Sequence, residues 1–215
     1  MISPWIRGLV VTGFLALLAP VASVQAAVIL SNYPPTNDTS TTADVDNLRW
    51  KALSFSMPAG QSASLGLLTV RLGNYSLLTD VPIFEIRDHT GSTTAPGPNV
   101  LASFAAPGPG PDTAIRNYTF TPTSAFTLQA GTSYWLVARG PDSVSSVDWR
   151  GSSPAIQPTG IATYGGQSLF TTNGGSTWSA SATINSFELL DIVPEPASAA
   201  LLALGGVTLV LRRRG

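Results

Sequence analysis

The chain has 215 residues and contains no cysteine. Disulfide bonds, thiol nucleophiles and cysteine-ligated metal centres are therefore excluded, and a folded domain must be held together by its core. Histidine is almost absent too, since His89 is the only one. A Ser-His-Asp hydrolase would need His89 as its base. Because His89 lies in a polar turn with no nucleophile-elbow pattern nearby, we interpret it as a solvated turn residue.

Charge is also scarce, because Asp, Glu, Lys and Arg together make up 11% of the residues. Between residues 27 and 193 the acidic residues outnumber the basic ones, and the basic ones form no cluster. Nucleic acids and anionic lipid surfaces are bound through basic patches. We therefore predict no nucleic-acid partner for this region.

Paired carboxylates, which glycosidases need, are poorly represented. Residues 27–192 contain only two glutamates, Glu85 and Glu188. Each occupies an outward-alternating position in a predicted strand, so we interpret both as solvent-facing strand residues. We predict no catalytic residue, no enzymatic activity and no cofactor.

Long helical patterns are missing between residues 27 and 192, where proline and glycine recur at short intervals and β-branched and aromatic residues fill the gaps. This composition predicts an all-β domain, an antiparallel β-sandwich of jelly-roll-like type. Leu53 and Phe55 alternate onto one face, residues 134–139 are apolar on both faces as in a central strand, and residues 173–175 form a hairpin turn. The predicted strands lie near residues 51–56, 68–72, 84–87, 100–104, 116–120, 126–128, 134–139, 147–150, 162–164, 169–170, 177–178 and 186–192.

Apolar segments lie at both ends of the printed sequence. Residues 1–26 combine Arg7, an apolar run and small residues, which is the pattern of a secretory signal peptide, and we place its cleavage after Ala26. Residues 197–211 carry no charge and predict a transmembrane helix. That helix would reach about 22 Å, short of a hydrocarbon core of about 30 Å. The basic cluster Arg212, Arg213 and Arg214 favours a cytoplasmic position for this end of the helix.

The motif Pro194-Glu195-Pro196, the apolar run with Gly205-Gly206 and the closing arginines together resemble a PEP-CTERM sorting signal over residues 193–215. The resemblance implies a Gram-negative bacterium that makes exopolysaccharide, and processing by an exosortase, an integral-membrane transpeptidase. The chain would then cross the inner membrane transiently. A plain tail anchor preceded by a proline-rich hinge is the alternative.

The domain between the two ends has a resemblance of its own. Residues 50–55, 68–72, 83–86 with the Pro96-Gly97 turn, and 128–136 are similar in order and pattern to the choice-of-anchor R domain. The likeness covers most of residues 27–191. It implies an exported domain that carries an interchangeable sorting tail, and it supplies no catalytic residue.

Two weaker groups of side chains are candidates for ligand binding. The hard oxygen ligands Asp38, Asp44, Asp46 and Asn47 suit calcium, although their spacing differs from an EF-hand and a solvated loop is the alternative. Among the aromatics, Trp135 is expected in the core. Trp149 and Trp178 lie beside glycine-rich turns, which makes them the candidates for stacking on sugar rings.

The function that we expect from the sequence is structural or adhesive. The protein would be exported and sorted to the cell envelope or the extracellular matrix, in connection with exopolysaccharide or a biofilm. A secreted glycan-binding module or a carbohydrate-active enzyme that carries the same sorting tail is the alternative.

Overall fold

The computed structural model describes residues 26–39, 41–89, 94–141 and 146–192. The predicted sorting motif, the transmembrane helix, the basic cluster and residues 1–25 of the signal peptide lie outside these ranges. Within them no helix is long and apolar enough to span a bilayer.

The described chain is all-β, and every strand pairing in it is antiparallel. The all-β, antiparallel prediction is therefore confirmed. The strands are β1 Val28–Ser31, β2 Thr42–Val45, β3 Trp50–Ser56, β4 Ala63–Gly73, β5 Ile83–Asp88, β6 Val100–Ala105, β7 Arg116–Pro122, β8 Thr127–Leu128, β9 Ser133–Arg139, β10 Val147–Arg150, β11 Thr163–Thr171, β12 Ser179–Ala180 and β13 Phe187–Asp191.

These strands form one curled sheet in the order β1-β13-β4-β7-β6-β5-β9-β3-β11-β12. Strand β10 pairs with β2 and β4, and β8 pairs with β4. We call β1, β13, β4 and β7, with β2, β8 and β10, the first half, and β6, β5, β9, β3, β11 and β12 the second half. A short ladder between β6 and β7, from Phe104 to Pro122 and from Ala105 to Thr121, joins them.

The main core lies between the two halves. Phe84 on β5 contacts Phe120 on β7 at a ring-centroid distance of 4.8 Å and Trp149 on β10 at 5.2 Å. All three rings are fully buried. On β3, Leu53 and Phe55 join this core as their alternation predicts.

Strand β9 shows why residues 134–139 are apolar on both faces. It lies between β5 and β3, with Leu136 in the main core and Trp135 in a second apolar cluster on the opposite face of the sheet. The central position is therefore confirmed. The predicted strands at 162–164 and 169–170 form one strand, β11, which is irregular between Tyr164 and Ser168.

Candidate functional site

The outer face of the second half carries the second apolar cluster, which we call the outer cluster. Its buried members are Ala52, Trp135, Val137 and Leu169, and Trp50 and Trp178 pack against it. The rings of Trp50 and Trp178 meet edge to face, with centroids 6.4 Å apart and planes at 67°. Aromatic rings therefore cover a sheet face that would otherwise meet water.

Glu85 lies at the edge of the outer cluster and is 2% exposed. Its Oε1 accepts hydrogen bonds from Arg139 at 2.6 and 3.0 Å, and its Oε2 accepts from Arg87 at 2.7 and 2.9 Å. Both guanidinium groups lie over the Trp50 ring, at 5.2 and 5.6 Å from its centroid. Burial alone would raise the pKa of Glu85, but the hydrogen bonds from Arg139 and Arg87 outweigh it and lower the pKa.

The prediction that Glu85 faces solvent is therefore wrong. The residue does alternate onto the outer face, but two arginines and a tryptophan cover it. A carboxylate held ionised with both oxygens engaged is a poor proton donor, so Glu85 does not supply the general acid that a glycosidase needs. Glu188 on β13 is half-buried.

His89 is half-buried, which corrects its interpretation as a solvated turn residue. The imidazole stacks on the Trp135 ring with centroids 5.5 Å apart and planes at 13°. Its Nδ1 is buried and has no hydrogen-bond partner among the described residues. Stacking on the outer cluster, where the flat ring covers apolar surface, explains its position.

The calcium candidates are bound to arginines. Asp44 and Asp46 both pair with Arg49, and Asp38 accepts a hydrogen bond of 2.6 Å from Arg71. Burial alone would raise the pKa of Asp46, but hydrogen bonds from the Arg49 backbone and side chain outweigh it and lower the pKa.

The backbone carbonyl of Asn47 accepts a hydrogen bond of 2.7 Å from Trp50 Nε1. In the described part of the chain, acidic and histidine side chains form no group of three or more that could hold a metal ion. The carboxylates of Asp38, Asp44 and Asp46 therefore serve as partners for arginines in this structure.

Trp149 and Trp178 differ in burial. Trp149 is completely buried in the main core, and its Nε1 donates to the Ser186 carbonyl at 3.0 Å. The prediction that Trp149 lies at the surface is therefore wrong. Trp178 is half-buried, so part of its ring is accessible and it stays a candidate for contact with a ligand.

A cleft of about 580 Å³ opens beside Trp178, and we call it the Trp178 cleft. Tyr164, Gln167, Ser168, Trp178 and Ser181 are among its lining residues. The Gln167 Oε1 is buried and has no hydrogen-bond partner among the described residues. Gln167 therefore carries an unsatisfied acceptor beside this cleft, and the rings of Tyr164 and Trp178 offer stacking surface.

A second cleft, of about 280 Å³, lies between β2, β3, β11 and the segment after β12. We call it the Lys51 cleft, because Lys51 lines it together with Asp44, Phe170, Thr171, Ser181 and Thr183. Ser181 lines both clefts.

Sequence reasoning missed Lys51. Its alternation with Leu53 and Phe55, which face the core, was the available signal, because residues two apart in a strand share a face.

Comparison with known proteins places the chain in no family. No protein-family model matches it, and no curated protein matches it either.

Proposed function

We propose that the protein is exported and then sorted by an exosortase to the cell envelope or the extracellular matrix, where its β-domain has a non-enzymatic structural or adhesive role. The sequence of residues 193–215, with its Pro-Glu-Pro motif, short apolar run and arginines, is the observation that carries the proposal. The signal peptide pattern of residues 1–26 supports export independently. Exosortase, the inner membrane and exopolysaccharide are the proposed partners, and nucleic acid is not among them.

The geometry of the β-domain is compatible with a tether. Asp191 N donates to the Ala27 carbonyl at 2.8 Å, and Val28 on β1 is paired with Leu190 on β13. The two ends of the described domain therefore lie side by side. A chain that leaves the domain at Ile192 would emerge next to the mature N-terminus proposed at Ala27, and one edge of the sheet would carry both connections.

The finer fold proposal is that the curled sheet is a jelly-roll-like sandwich. Its support is the contact of Phe84 in the second half with Phe120 and Trp149 in the first half. Sandwiches of this kind present loops and clefts at their rims while the core stays closed. Such a domain can hold a polymer or a neighbouring cell without any chemical step.

A glycan-binding module is the second candidate, and the Trp178 cleft favours it. Trp178 and Tyr164 are both half-buried, and Gln167, which lines the same cleft, carries an unsatisfied acceptor. Aromatic faces combined with polar hydrogen-bonding groups suit a pyranose ring, which has an apolar face and an equatorial belt of hydroxyls. A carbohydrate-active enzyme gains less support, because Glu85 is engaged by two arginines.

A host strain with its exosortase gene intact and the same strain with that gene deleted provide the test. Fractionation should place the protein in the envelope or the medium of the first strain and in the inner membrane of the second. The same distribution in both strains would contradict the proposal. A glycan array then separates the adhesive role from the purely structural one, and release of reducing sugar from polysaccharides would instead establish an enzyme.

A further inference from the structure

Lys51 is a buried cation on the core-facing side of β3. It is 3% exposed, and the adjacent residues on the same face of the strand, Leu53 and Phe55, belong to the main core. Its Nζ donates to Ser181 Oγ at 2.5 Å and reaches the Thr183 carbonyl at 3.5 Å. An ammonium group has three N–H donors, and the longer contact is weak, so its hydrogen-bonding capacity is incompletely used.

In the part of the chain that the structure describes, Lys51 is also without a counter-charge. Among the described residues every arginine pairs with a carboxylate, whereas Lys51, the one lysine, does not. The pairs are Arg49 with Asp44 and Asp46, Arg71 with Asp38, Arg87 and Arg139 with Glu85, Arg116 with Asp112, and Arg150 with Asp148.

Burial lowers the pKa of Lys51 to about 8. About nine tenths of the molecules then still carry the charge at pH 7, because one pKa unit corresponds to a factor of about ten. An unpaired buried charge is unfavourable, so pairing with an anion would stabilise the ammonium group of Lys51.

The Lys51 cleft gives such an anion access. Asp44 lines the same cleft, but its carboxylate is bound to Arg49. Arg49, in turn, also binds Asp46. Arg49 and Lys51 together therefore balance the charges of Asp44 and Asp46, and among the described residues Lys51 is the cation of this group that no carboxylate contacts.

The rest of the lining suits a sugar ring. Phe170 is 38% exposed and offers an apolar face on the side of the sheet that carries Lys51, with which it is paired in register. Other lining residues that carry hydroxyl groups are Thr42, Thr172 and Ser181. One cation, aromatic surface and several hydroxyls together recognise a carboxylate on a polyhydroxylated ring better than a bare phosphate, which is usually held by several N–H donors or cations.

We propose that the Lys51 cleft binds the carboxylate of a hexuronic acid unit in an acidic polysaccharide. The proposal rests on the proposed matrix role, for which it names the polymer class. The Lys51 cleft, with a volume of about 280 Å³, suits a single sugar unit rather than a longer segment. Because Ser181 lines both clefts, further units of the polymer would continue into the Trp178 cleft.

Calorimetry on the full chain in mild detergent tests this, with a galacturonic acid trimer and the matching neutral galactose trimer as probes. We expect the wild-type chain to bind the acidic trimer at least about tenfold more tightly than the neutral one. Lys51→Met should abolish that preference, because methionine keeps most of the unbranched side chain and removes the charge. Arg116→Met, which removes a partly exposed cation from β7, is the matched control and should leave the preference intact.

Direct observation of Lys51 adds a readout that a merely structural lysine would not change. In NMR of the wild-type chain labelled at the lysine ε position, saturation with the acidic trimer should raise the pKa of Lys51, and the neutral trimer should leave it unchanged. This measurement decides the question even if Lys51→Met fails to fold.

Four results would overturn the proposal: equal affinity for the two trimers, an undiminished preference in Lys51→Met, displacement of the acidic trimer by an equal concentration of acetate, or no binding up to about 10 mM trimer. Because detergent-held full chain is used, none of these results depends on tail processing. A chain that binds the acidic trimer but is not sorted by exosortase would refute the proposed function alone.

Discussion

The buried, unpaired Lys51 should make the protein more stable as the pH rises from 8 to 10. Burial lowers the pKa of Lys51 from 10.5 to about 8 in the folded chain. Between these two values the unfolded chain binds more protons at this residue than the folded chain does. Since stability increases with pH wherever the unfolded state binds more protons, this residue contributes a stabilisation that grows through the window.

The size of the effect follows from the width of the window. A shift of one pKa unit is worth about 1.4 kcal/mol, so the full destabilisation by Lys51 below pH 8 is about 3 kcal/mol. Of this, about 2 kcal/mol should be regained between pH 8 and pH 10, and the remainder only above pH 10. Lys51 is 3% exposed, so screening by solvent takes little from this figure.

Urea unfolding of the full chain in mild detergent, followed by tryptophan fluorescence at pH 7, 8, 9 and 10, measures the effect. Lys51→Met is the comparison, because it removes the titrating group and leaves all others. Burial also raises the pKa values of Tyr75 and Tyr164, but both tyrosines are present in the two proteins and cancel in the difference. Lys51→Met should have a larger free energy of unfolding than wild type, and this difference should shrink by about 2 kcal/mol from pH 8 to pH 10. A difference that stays constant over this range would refute the burial of a charged Lys51.

Three other tests examine separate parts of the structure by urea unfolding. Glu85→Gln should lower the free energy of unfolding by about 3 kcal/mol at pH 7, because it removes the shared partner of two arginines. The difference from wild type should shrink in acid, where the wild-type carboxylate becomes protonated. A difference independent of pH would contradict this. Gly66→Ala should cost about 1–3 kcal/mol or more, because its Cβ would lie 2.6 Å from a backbone oxygen of β13, whereas the control Gly108→Ala meets nothing within 4 Å and should be neutral. Trp149→Ala should cost about 3–5 kcal/mol, whereas Trp178→Ala should cost far less but weaken glycan binding; equal losses of stability would refute the contrast.

Local pattern was sufficient for much of the fold. Alternation in β3 placed Leu53 and Phe55 on the core side, and the doubly apolar run of β9 identified the central strand. Strands β1 and β2 were not predicted. Each is four residues long, and their pairing with β13 and β10 joins residues far apart in the sequence, which a local pattern does not reveal.

The errors at the candidate site have the same origin. Gly151, close after Trp149, indicated an exposed turn. In the structure Trp149 is paired with Leu72 on β4 and Ala43 on β2, and this long-range pairing buries its ring. Glu85 does point outward, as alternation predicts, and is nevertheless buried because Trp50 and the two arginines cover it. Burial of an outward-facing residue depends on its neighbours in space, which a single sequence does not supply.

Intact mass and fractionation of the protein recovered from an exosortase-containing host test the central claim most directly. The account predicts that the wild-type protein lacks residues 197–215 and is found in the envelope or the medium. Replacing Pro194, Glu195 and Pro196 with alanine should leave export intact and trap an uncleaved chain in the inner membrane, because alanine removes the recognition motif and lengthens the helix that can form. Alanine at the exposed loop residues Pro98 and Pro111 is the control and should change nothing. A wild-type protein that is full length at residue 215 and membrane-bound would contradict the account and support a plain anchor.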